Sequence, residues 1–84
     1  MIEILPVSEL VAKRIERFGL GKKFAKAIEL FENNPCHPGL HVELLEPKAM
    51  GIYSFRLDRK YRDLFIYRAD KAAIEILNVT KHYE

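Results

Sequence analysis

The sequence predicts an α+β fold, with an N-terminal helical hairpin packed on one face of a mainly antiparallel sheet of about four strands. Three observations carry this expectation. Apolar residues recur at helical spacing as far as Phe31, and beyond the proline- and glycine-containing stretch NPCHPG the apolar period falls to two. The order is helices first, strands afterwards, with turn signals between the strands. The chain has 84 residues, 49% hydrophobic and 31% charged, which suits one small folded core and a single domain over residues 1–84.

Each element has a local reason. Ile2 to Leu5 reads as a short strand closed by Pro6. Ser8 is a suitable N-cap, and Glu9 in the first turn complements the helix dipole. Val11, Ile15 and Phe18 then fall on one helix face, and Gly19 suits the left-handed position that ends a helix. A second helix starts near Gly21. Phe24, Ala27, Ile28 and Phe31 form its apolar face, Lys22, Lys23, Lys26, Glu29 and Glu32 its wet one, and Asn33 to Pro35 stop it. After the loop CHPG, Leu40, Val42 and Leu44 alternate with His41 and Glu43. Tyr53, Phe55 and Leu57 alternate with Ser54 and Arg56. YRDLFIYR and AAIEILNV complete the strands, joined by the turn ADK.

Helices cover one face of such a sheet, and alternate side chains of each strand point to the other. If Phe55 and Val42 face the helices, Ser54, Arg56, His41 and Glu43 face outward. The parity of Arg62 is ambiguous, because Leu64 and Ile66 share its face. His82 and Tyr83 follow the last strand. A carboxylate, guanidinium groups, an imidazole and a phenol from separate segments are thus expected on one surface. Net charge is only +2, but Arg56, Arg59, Lys60, Arg62 and Arg68 cluster with Tyr61, Phe65 and Tyr67. That stretch reads either as the solvated side of a strand or as a surface for phosphates and bases, since guanidinium pairs bidentately with phosphate and aromatic rings stack on bases. A plain ion pair of Arg62 with Asp58 or Asp63 is the structural alternative.

Other chemistries find little support. No apolar run is long enough to cross a bilayer, and MIEILPVSEL shows no secretion signal. The lone Cys36 excludes an intramolecular disulfide and fits a reducing cytoplasm. Cys36, His37 and His41 do not make a zinc motif. GLGKK lacks the spacing of a phosphate loop, and neither Ser8 nor Ser54 carries a nucleophile signature.

From Phe24 to Tyr83 the chain resembles the RelE/ParE superfamily of bacterial type II toxins, and within it the YoeB-like mRNA interferases. ELFENNP at the end of the second helix, the strand pair GIYSFRLDRKYRDLFIY, and the terminal HY carry the resemblance. It implies a RelE-like, microbial-ribonuclease-like fold, a cytoplasmic bacterial location, ribosome-dependent cleavage of mRNA, and neutralisation by a cognate antitoxin protein. A homodimer is left open, and no membrane, cofactor or metal is implied. By position Glu43 resembles the general base, whose pKa partial burial is expected to raise. Arg62 resembles the phosphate-binding arginine, His82 the general acid and Tyr83 the tyrosine beside it. Arg56, Arg59, Lys60 and Lys81 are the expected substrate-binding cations. Two rival readings stay open: a ParE-like toxin that inhibits DNA gyrase and cuts nothing, and a degenerate member that only binds an antitoxin.

Overall fold

The computed structural model describes residues 2–81. Two helices, α1 (Glu9–Arg17) and α2 (Gly21–Asn33), pack on a sheet of five strands. The strands are β1 (Glu3–Ile4), β2 (Glu43–Leu44), β3 (Tyr53–Arg56), β4 (Tyr61–Arg68) and β5 (Ala73–Lys81), in the spatial order β1-β5-β4-β3-β2. All neighbours are antiparallel except β1, which runs parallel to β5. The sheet therefore has one strand more than the expected count. Both edge strands pair over only two residues, and such short edges offer little template for unwanted pairing.

The helix signals act as expected. The Ser8 hydroxyl accepts from the Val11 N–H at 3.2 Å, capping α1. Gly19 takes φ +66° and turns the chain into α2. Val11 and Ile15 from α1, and Ala27 and Phe31 from α2, reach the core with Phe55, Phe65, Ile74, Ile76 and Val79 of the sheet. Phe31 is fully buried with its ring 5.2 Å from those of both Phe55 and Phe65, which are 5.4 Å apart. Truncating Phe31 to alanine would cost about 3–5 kcal/mol, a large share of a stability that for small domains is about 5–15 kcal/mol.

Two departures from regular pairing shape the functional side. The expected strand from Leu40 to Leu44 is mostly not strand. Pro38–Leu40 form a 3-10 turn and His41 adopts φ +48°, leaving Glu43 and Leu44 alone to pair with Ser54 and Tyr53. On β5, Leu64 pairs with Asn78 but Phe65 with Ile76, so Leu77 is an extra, bulged residue. The bulge flips the parity of every later residue on the strand. Without it Asn78 and Thr80 would share the buried face of Ile74 and Ile76. With it they lie beside Leu64 and Arg62, while Val79 takes the core position beside Asp63.

Candidate functional site

The face of the sheet away from the helices brings three strands together around Arg62. Pairing settles its parity: Arg62 stands opposite Arg56 on β3 and opposite Thr80 on β5. Glu43, Ser54 and Leu64 form the adjacent row on the same face. The Arg62 side chain reaches diagonally across β3 toward that row. Its Nη1 donates to Ser54 Oγ at 3.2 Å and to the His41 carbonyl at 3.4 Å, and its Nη2 lies 3.8 Å from Glu43 Oε1. Arg62 is therefore the buried cation of the site, its side chain 9% exposed, whereas that of Glu43 is 57% exposed.

That exposure corrects one expectation. The burial expected to raise the Glu43 carboxyl is absent. What Glu43 has instead is a neighbouring guanidinium, held close without direct contact. The alternative partners of Arg62 are also absent. Asp58 binds Lys23 Nζ at 2.7 Å and accepts from the Lys60 and Tyr61 backbone N–H groups, each at 2.7 Å. Burial raises the Asp58 carboxyl, but the Lys23 ammonium and those two N–H groups outweigh it and leave it below its ordinary value. Asp63 points to the opposite face, into the core, where it is fully buried and, among the described residues, neither oxygen has a hydrogen-bond partner of good geometry. Burial pushes its carboxyl well above the ordinary range, against a weaker opposing pull from the Phe55 backbone.

The remaining expected cations divide. Arg56 is the register partner of Arg62 across β3 and β4, and its side chain lines a cleft of about 310 Å³ with Lys23, Lys26 and Leu30 of α2. Arg59 and Lys60 lie in the β3–β4 turn and line a different cleft of about 400 Å³, together with Lys23, Phe18 and Tyr61. The Phe18 and Tyr61 rings stack there at 5.0 Å, with the Arg14 guanidinium 5.7 Å from the Phe18 centroid. Lys81 is exposed and pairs in register with Tyr61, on the helix-side parity of β5. The expected general acid His82 and its neighbour Tyr83 lie outside the described residues. Cys36, His37 and His41 border a groove of about 420 Å³ with Val42 and Tyr67. Among the described residues no cluster has the makings of a metal site.

Sequence reasoning missed the two groups that fix Arg62. Ser54 is legible as facing away from the helices, but not as a residue 1% exposed beneath an arginine. The His41 carbonyl is positioned by a left-handed backbone conformation that no residue type announces. The arrangement as a whole offers an exposed carboxylate able to accept a proton beside a fixed, buried cation.

No family model matches the chain, and no curated protein matches it. Solved structures do. The chain is similar in fold to the YoeB/ParE toxin from Agrobacterium tumefaciens, with a TM-score of 0.73 and 15% identity over 98% of this chain and 100% of that one. It is similar to a structure of the YoeB–YefM complex from Staphylococcus aureus, with a TM-score of 0.69 and 20% identity over 99% of both chains. It is also similar to the YoeB dimer from Staphylococcus aureus, with a TM-score of 0.67 and 22% identity over 98% of this chain and 95% of that one. The chain thus shares the fold of these toxins over nearly its whole length.

Proposed function

We propose that this protein is the toxin of a bacterial type II toxin–antitoxin pair, a ribosome-dependent endoribonuclease of the YoeB-like kind. The observation that carries the reading is the placement of Glu43 and Arg62 on one sheet face with the guanidinium buried and oriented. RNA supplies its own nucleophile, the 2′-hydroxyl. Glu43 takes the 2′-OH proton as the oxygen attacks the adjacent phosphorus. Arg62, helped by Arg56, stabilises the charge gathering on the non-bridging oxygens. His82 gives a proton to the departing 5′-oxygen, its near-neutral intrinsic pKa suiting it to both states. Tyr83 stacks on or orients the nucleotide. The bond from phosphorus to the 5′-oxygen breaks, leaving a 2′,3′-cyclic phosphate and a 5′-hydroxyl. Acid–base groups of this kind contribute roughly 10²–10⁴-fold each.

The partners of the structural relatives support the same reading. A YefM-type antitoxin is the proposed partner of this chain, mRNA on the ribosome its proposed substrate, and a homodimer a proposed state of the free protein. The gyrase-inhibitor alternative leaves the oriented arginine and its carboxylate neighbour without a task. Induced expression with primer-extension mapping of transcripts distinguishes the two. Wild type is expected to produce transcript cuts that Arg62→Ala and His82→Ala lose. Growth arrest without cuts would instead place the protein with the gyrase inhibitors.

A further inference from the structure

We propose that Ser54 is a positioning residue, one that decides which edge of the Arg62 guanidinium is presented to a phosphodiester. The proposal rests on Arg62 being the phosphate-binding group. Left to itself, an arginine beside an exposed carboxylate closes into a bidentate pair with N···O distances of about 2.7–2.9 Å. Here Nη2 and Glu43 Oε1 stay 3.8 Å apart. The nitrogen that does make hydrogen bonds is Nη1, and its acceptors are neutral: Ser54 Oγ at 3.2 Å and the His41 carbonyl at 3.4 Å. Among the described residues Nη2 has no hydrogen-bond acceptor. One end of the fork is thus clamped from within, and the other keeps its donors for an incoming oxyanion.

Register explains why Ser54 has this effect. Ser54 lies on β3 in the same row as Glu43, two residues along from Arg56 and so the next pair on the same face. A hydroxyl at that point intercepts the guanidinium on its way toward the carboxylate. It is 1% exposed, so water cannot replace it as acceptor without a change in packing. Removing it leaves Nη1 only the longer bond to the His41 carbonyl, and the fork swings toward Glu43. Base and cation then neutralise each other, and a phosphate has to break that pair to bind.

The test uses the full-length protein, with inorganic phosphate as the probe and the ¹⁵N guanidinium resonances of Arg62 as a direct reporter. Wild type is expected to show separate Nη1 and Nη2 signals, because the clamp hinders rotation. Ser54→Ala is expected to merge them and to weaken phosphate binding about tenfold, the size of one lost hydrogen bond to a charged group. Ser54→Thr, which restores the hydroxyl, is expected to recover both. Ser54→Cys keeps the volume with a poor acceptor. It is expected to behave like alanine, and it stands in for alanine if that variant unfolds. Separate signals and unchanged phosphate affinity in a folded Ser54→Ala or Ser54→Cys protein would overturn the positioning role. Undiminished phosphate binding by Arg62→Ala would overturn the underlying assignment of Arg62, whatever Ser54 does.

Discussion

Glu43 Oε1 stands 3.8 Å from Arg62 Nη2, yet the two side chains occupy different media, one 57% and the other 9% exposed. Their removal should therefore affect stability unequally while affecting cleavage alike. Glu43→Gln is expected to change unfolding free energy by less than about 1 kcal/mol, since Glu43 is mostly solvated and stands 3.8 Å from its partner. Arg62→Ala is expected to cost about 1–3 kcal/mol, because it strips the buried Ser54 hydroxyl of its partner and removes packed side-chain atoms. Urea unfolding of both variants, beside their transcript-cutting activity, checks this. Equal stability losses would contradict the difference in burial.

Arg56 is paired in register with Arg62 across β3 and β4. Like charges in that relation repel. Arg56→Gln is expected to stabilise the free protein by about 0.2–1 kcal/mol and to weaken phosphate binding. Opposite signs for stability and binding identify the pair as an anion site. A loss of stability would show that Arg56 serves the fold.

Asp63 makes stability depend on pH. Burial raises its carboxyl well above the ordinary value in the folded protein, while the unfolded chain titrates near about 4. A group shifted upward on folding gives its full stability below the unfolded value and loses it as pH climbs through the folded one. Stability is thus expected to fall on raising pH above about 4, by at most about 1.4 kcal/mol per pH unit, and to level off beyond the folded pKa. Asp63→Asn should remove that slope and be the more stable protein at pH 7. Parallel pH profiles for the two proteins would show that Asp63 is solvated or paired.

The β4–β5 turn holds Ala69, Asp70 and Lys71 at φ of +52°, +54° and +70°. A left-handed conformation costs an ordinary residue roughly 1–2 kcal/mol, and glycine avoids this at some expense in unfolded-state entropy. Ala69→Gly is expected to raise stability by about 0.5 kcal/mol and to leave cleavage unchanged, because the turn contacts neither Glu43 nor Arg62. Thermal unfolding and an activity assay check both halves.

The helical half was legible because its signals are local. Ser8 caps α1, Gly19 supplies the left-handed turn, and α2 runs from Gly21 to Asn33 as its period and stop signal indicate. The long strands followed from alternation, and so did the outward orientation of Glu43, Ser54 and Arg56. What escaped was set by pairing at a distance. The parallel partnership of Glu3 and Ile4 with Ala73 and Ile74 leaves no trace in either segment alone. The bulge at Leu77 falls between Ile76 and Asn78, with no glycine or proline to mark it. Arg62 found its face only through Arg56, and Asp63 reads as a surface anion until the register places it between Phe55 and Val79. Arg59 and Lys60 line a cleft apart from Glu43 and Arg62, because Asp58 folds the turn that carries them.

The most direct measurement is the chemistry of the cut ends in a translating extract, on a message whose scissile nucleotide is either ribo or 2′-deoxy. Attack by the 2′-oxygen across the Glu43–Arg62 face predicts 2′,3′-cyclic phosphate and 5′-hydroxyl ends, abolished by the single deoxy substitution and by Arg62→Ala. Cuts that survive the missing 2′-hydroxyl, or that carry 5′-phosphate ends, would contradict it.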